Sequence, residues 1–98
     1  MVELISVKPS PKPDKKLEVT LETNTGREKH LHIGAKGMDD FTKTKDEEQK
    51  ARYISRHRAR EDWTQSGLLS SGFWSRWLLW NKPTLQGSIR DVKDRFHL

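Results

Sequence analysis

The sequence predicts a small α+β domain: one β-hairpin packed on about three helices, preceded by an extended N-terminal arm. Three observations carry this. Residues 17–33 alternate between apolar and polar, with a turn between the two halves. Beyond residue 45 the apolar residues recur at helical spacing. The opening segment places three prolines, Pro9, Pro11 and Pro13, within five positions. The chain is therefore divided into an arm, residues 1–16, and a domain, residues 17–98.

The elements follow in order. Val2, Leu4, Ile5 and Val7 offer a short apolar strand. The prolines in "PSPKPDKK" then forbid a helix and do not suit a central strand, so the arm reads as an extended spacer. In "LEVTLE", Leu17, Val19 and Leu21 point one way, and Glu18, Thr20 and Glu22 the other, the period of a half-buried strand. "TNTG" supplies a turn, and "REKHLHIG" continues with Leu31 and Ile33 on one face. Together they predict a hairpin over residues 16–34. Two strands alone are marginal in water, so the hairpin must lie on something apolar.

"GAKGMDDFTKTKDEE" reads as a loop. A helix over about 45–61 follows, capped by Thr44 or Asp46, with Asp46, Glu47 and Glu48 at the positive end of its dipole. Its apolar stripe is Tyr53, Ile54 and His57. Arg52, Arg56 and Arg60 are spaced by four and predict a ridge beside it. "DWTQSGLLSSG" is a broken connector, and Ser70 or Ser71 caps a short helix over about 71–80. Pro83 opens a last helix to residue 96, with Leu85, Ile89, Val92 and Phe96 on one face.

Only 32% of residues are hydrophobic, against a usual share of roughly half, so a chain of this size is expected to lean on a partner. The formal charge is +5, which suits anionic partners, either nucleic acid or an acidic protein surface. No cysteine is present. That rules out disulfides, thiolate metal sites and cysteine nucleophiles, and favours work inside a cell. The N-terminus has no cationic segment ahead of its apolar residues and is not read as a secretory signal. No run approaches the roughly 20 apolar residues of a spanning helix.

"FWSRWLLW" crowds three of the four tryptophans together. One reading makes Trp74, Trp77 and Trp80 the core, since each indole buries about 150–250 Å². The other leaves one or two outside as anchors for a partner protein, with Arg76 among them, because tryptophan and arginine dominate interface hot spots. The polar side of this helix is too thin for one that lies on a membrane. The stretch "KARYISRHRAR" offers Lys50, Arg52, Arg56, Arg58 and Arg60 to a phosphate backbone. The same arginines suit acids on a neighbouring protein.

His30 and His32 share a strand face, but no third ligand is apparent, so no metal site is expected. No nucleophile elbow is present. "GAKG" is too short for a phosphate loop and leads into acids. The expectation is a protein without enzymatic activity, cofactor or small-molecule substrate.

"KDEEQKARYISRH" and "GFWSRWLLWNKPT" are the most specific pieces of a resemblance covering about residues 29–96. It is to a set of short proteins encoded by large eukaryotic DNA viruses, chlorella-virus and mimivirus relatives among them. Residues 1–16 carry none of it. The resemblance implies a viral origin and carries over no catalytic residue. Small basic proteins of such viruses include minor capsid components that glue the capsomer layer from beneath, and nucleic-acid-associated factors.

The implied role is a minor capsid or virion component that cements larger coat proteins, made in the host cytoplasm or viral factory and resident in the particle. Arg52, Arg56, Arg60, Trp74, Arg76, Trp77 and Trp80 then form the protein interface, and the arm from Val2 to Lys16 lies along a neighbour. The alternative is a viral nucleic-acid-binding protein using Lys50, Arg52, Arg56, Arg58 and Arg60.

Overall fold

In the computed structural model, which describes residues 2–98, the alternation of "LEVTLE" becomes the central strand of a three-stranded antiparallel sheet. Strands β1 (Glu3–Pro9), β2 (Lys15–Glu22) and β3 (Glu28–Ala35) lie in the order β1-β2-β3. Val19 pairs with Leu31 and Leu17 with Ile33 across β2 and β3. The inner face therefore carries Val19, Leu21, Leu31 and Ile33, all buried. Gly26, with φ of 80°, takes the left-handed position in the turn, and the Thr23 N–H closes it on the Arg27 carbonyl.

The N-terminal segment is not a separate arm. β1 pairs with β2 from Glu3 opposite Glu22 to Pro9 opposite Leu17. Pro9 closes an edge strand, where one row of backbone groups has no ladder to break, and Pro11 and Pro13 fall in the connecting turn. The register shifts between Leu4 and Ser6. This bulge absorbs Ile5, so that Leu4 and Val7, three apart, face Leu21 and Val19 on the same side of the sheet. Val2, Leu4 and Val7 pack against the core. Residue 16 is thus no boundary between an arm and a domain.

The predicted loop before the first long helix contains a one-turn helix, α1 (Phe41–Thr44), capped by Asp40. α2 (Glu47–His57) is capped by Asp46, whose carboxylate accepts from the Glu48 and Gln49 N–H groups. It ends four residues before the predicted 61. α3 (Ser71–Trp74) is capped by Ser70 and runs straight into a wider π-helical turn, Ser75–Leu79. α4 (Leu85–Phe96) is capped by Thr84.

Trp77, Leu78 and Leu79, in the wider turn, are all buried. They join Phe73 and Trp74 between the sheet and α4, where Val92 is fully buried. Phe73 meets Trp74 edge-on at 5.1 Å and Phe96 at 4.9 Å. Large rings thus make up for the scarcity of aliphatic side chains, and the chain covers this core with its own elements. No helix among the described residues is long and apolar enough to cross a membrane.

Candidate interaction site

The position of α2 is set by Tyr53, which is buried. Its ring stacks on Trp80 at 4.6 Å, with the planes inclined by 8°, and on His57 at 4.2 Å. Burial, with Glu61 adding to it, pushes the Tyr53 hydroxyl well above its ordinary pKa, so it stays neutral. One turn earlier, Lys50 Nζ donates to the Asn81 carbonyl at 2.8 Å and sits 4.7 Å from the centre of the Phe41 ring. Lys50 therefore ties α2 to the segment after the π-turn. It belongs to the packing and is not part of an open phosphate track.

Arg52, Arg56, Arg58 and Arg60 are all exposed. Among the described residues none of them meets a carboxylate in an ion pair. The predicted three-arginine ridge is shortened, however. The helix closes at His57, and the Arg60 N–H bonds to the His57 carbonyl in a turn. Beyond the helix end, Glu61 contacts His57 Nδ1 at 3.2 Å and accepts from the Trp63 indole N–H at 3.0 Å. Arg52 and Arg56 remain side by side on the helix, and Arg60 leaves their line.

Those two arginines form one wall of a groove. Gly37, Met38 and Asp39 of the loop before α1 line it too, together with Gln49 and Trp80. One lobe, about 330 Å³, lies beside Gln49 and Arg52. A second, about 480 Å³, continues past His57 towards Gly72 and Gly34. Met38, Asp39, Arg56 and Trp80 border both, so the two adjoin. Met38 is 63% exposed.

Asp40 is neutralised by Lys16 at 2.6 Å. Burial alone would raise the Asp40 pKa. The hydrogen bonds from Lys16 and Thr42 and the Lys16 charge outweigh it and hold the carboxyl below its ordinary range. Asp39 is exposed and has no ion-pair partner among the described residues.

The other expected interface residues lie elsewhere. Trp74 is 0% exposed and its indole N–H donates to the Leu68 carbonyl at 2.7 Å. Trp77 is 9% exposed and donates to the Trp63 carbonyl. Both are core residues whose polar edges are satisfied within the chain, so neither presents a ring to a partner.

Arg76 is turned inward as well. Its guanidinium lies 4.5 Å from the Trp77 ring centre and 5.5 Å from that of Trp63, and donates to the Trp80 carbonyl. Its Nε is buried without a partner. Burial first, then Arg95, lowers its pKa from the ordinary arginine value. Of the interface residues expected in the tryptophan segment, Trp80, half-buried, borders the groove, and Ser75 and Leu79 line its second lobe. Met38 was not singled out in the sequence, and Asp39 stood out only as one of the adjoining acids after "GAKG". The only other signal for them was the glycine pair Gly34 and Gly37, both of which have positive φ and shape the loop.

On the outer face of the sheet, His30 Nδ1 and His32 Nε2 lie 3.3 and 3.6 Å from the same Glu18 oxygen. His32 Nδ1 bonds to the Ser10 hydroxyl at 2.8 Å. Among the described residues no group of three histidines or acids is arranged to hold a metal ion.

Residues 5–57, more than half of the chain, match the model of a family of unknown function, DUF5754. The matched stretch spans the sheet, α1 and α2, with Arg52 and Arg56, and stops before the tryptophan segment. No curated protein and no solved structure matches the chain.

Proposed function

We propose that this chain, which belongs to the family of unknown function DUF5754, is a binding module without catalytic activity that docks an acidic protein surface through α2. The place proposed for it is the particle of a large DNA virus, as a minor component cementing larger coat proteins. One observation carries the reading. Arg52 and Arg56 stand exposed, one helical turn apart, and no carboxylate of the chain pairs with them among the described residues. Of the chain's 14 acids, Asp40 near the groove is paired with Lys16 and Glu61 accepts from the Trp63 indole N–H, while Asp39 has no ion-pair partner among the described residues. A pair of cations left uncompensated at a groove is complementary to an anionic partner and steers its approach. The place in a virus particle rests on the "GFWSRWLLWNKPT" resemblance.

Protein is favoured over nucleic acid because the basic surface is short. Lys50 is committed to Asn81, Arg60 is off the line, and Asp39 borders the same groove as Arg56. A phosphate strand carries its charge at every nucleotide and needs a longer track. The test uses particles emptied of their genome. The protein is expected to stay with the shells, and an Arg52→Glu/Arg56→Glu variant to be absent from them. Loss of the protein along with the genome, and tight binding to random duplex DNA that weakens steeply with salt, would establish the nucleic-acid reading instead.

A further inference from the structure

We infer that the groove between α2 and the Gly37–Asp40 loop takes one extended segment of the partner. An apolar side chain of that segment rests on Trp80 and Met38, and a neighbouring carboxylate reaches Arg52 and Arg56. This rests on the reading of α2 as the partner-facing element.

Shape is the first argument. The two lobes adjoin, and the smaller, at about 330 Å³, matches the low end of volumes that enclose a small ligand or a few side chains. The second lobe is bordered by Gly34 and Gly72. At both glycines the chain's own side chains, Leu79 and Lys16 at Gly34 and Glu61 at Gly72, take up the space beside the backbone.

Surface chemistry is the second. Met38 is among the few large apolar residues left exposed, and its flexible thioether adapts to what it meets. Trp80 lies beside it, stacked on one face by Tyr53 and therefore held rigid. A fixed indole, an adaptable methionine and two arginines have the composition of an interface hot spot.

Charge is the third. With Asp40 neutralised by Lys16, the uncompensated charges beside the smaller lobe are Arg52, Arg56 and Asp39, and Glu61 borders the larger lobe. The balance is positive on the α2 wall and negative on the loop wall. That polarity suits a polypeptide, which can place a carboxylate on one side and an N–H on the other. A polyphosphate presents only negative charge and would meet Asp39.

The experiment is panning of a phage-displayed library of random ten-residue peptides on the full-length chain. The expected consensus joins Asp or Glu to a large apolar residue. The corresponding synthetic peptide is expected to shift the Trp80 indole N–H resonance and to bind Met38→Ser about fivefold more weakly. Met38 is exposed, so this variant keeps the fold, which its unperturbed Trp74 and Trp77 resonances would show.

No consensus, a consensus without acid, or affinity unchanged by Met38→Ser overturns the groove. If Met38→Ser is silent while Arg52→Glu/Arg56→Glu abolishes binding, the groove falls and the α2 reading stands. If the arginine variant is silent, the α2 reading falls and this inference falls with it. Single-stranded oligothymidylate that moves the Trp80 resonance at lower concentration than the peptide assigns the groove to nucleic acid and overturns the proposal.

Discussion

The ammonium of Lys16 lies 2.6 Å from the carboxylate of Asp40, joining the start of β2 to the cap of α1. Both side chains are largely withdrawn from solvent, at 15% and 4% exposure. The pair closes one side of the groove and takes Asp40 out of its charge balance. Removing one partner strands the other, so Asp40→Ala is expected to cost about 3 kcal/mol in urea unfolding.

Acid should reveal the same pair. Asp40 titrates below its ordinary value in the fold, since the contributions of Lys16 and Thr42 exceed the opposing effect of burial. A carboxyl depressed in the folded state adds stability above its unfolded pKa, roughly 4, and loses it as pH falls through the folded value. The melting temperature of the wild type is expected to fall steeply below about pH 4. Asp40→Asn should start lower at neutral pH and fall less. Asp91 is depressed as well: burial pushes it up, and Asn81 and Arg95 pull it down by more, so part of the acid limb survives in that variant.

The basic stretch divides into structural and free cations. Lys50→Ala loses a hydrogen bond to Asn81 and a cation–ring contact with Phe41, and is expected to cost about 1 kcal/mol. Arg52→Ala and Arg56→Ala should stay within about 0.5 kcal/mol of wild type. Urea unfolding of the three single variants separates them. A large loss at Arg52 or Arg56 would mean that those side chains hold the fold together.

Trp74→Phe removes the indole N–H from a buried Leu68 carbonyl and leaves space in the centre of the core. The expected cost is about 3 kcal/mol. In the wild type, acrylamide should reach Trp80 and spare Trp74 and Trp77, so tryptophan emission quenches in two populations.

Gly34 has φ of 74°, and a Cβ there would lie 2.8 Å from Leu79 Cδ1 and 3.1 Å from Lys16 Cδ. Gly34→Ala is expected to lower stability by about 2 kcal/mol, through both the backbone conformation and the collision. Gly37, also at positive φ but with open space around it, should cost less on the same change.

The hairpin was legible because period-two alternation in residues 17–33 has one solution, and β2 and β3 pair as that alternation requires. The polar caps Asp46 and Ser70 were legible for a similar local reason. β1 was not. Its inward residues Leu4 and Val7 are three apart and make sense only once the bulge at Ile5 is known. The π-turn was hidden too, since three successive apolar residues fit neither the helical nor the strand period.

At the candidate site, Arg52, Arg56 and Trp80 could be picked out by residue type. That they share a groove with Met38 depends on Tyr53 stacking against Trp80 across 27 positions of chain. Arg76 misled for the converse reason: a charge in sequence gives no sign that Trp63 and Trp77 will enclose it.

The stretch shared with the family ends at His57, and it divides the core unequally. Val19, Leu21, Leu31 and Ile33 lie on one side of that cut; Phe73, Trp74, Leu78 and Val92, which cover them, lie on the other. A fragment ending there would hold a sheet with a bare greasy face and no counterpart. Any cousin that retains only the shared half must roof those four side chains differently, with an unrelated downstream segment or a separate polypeptide.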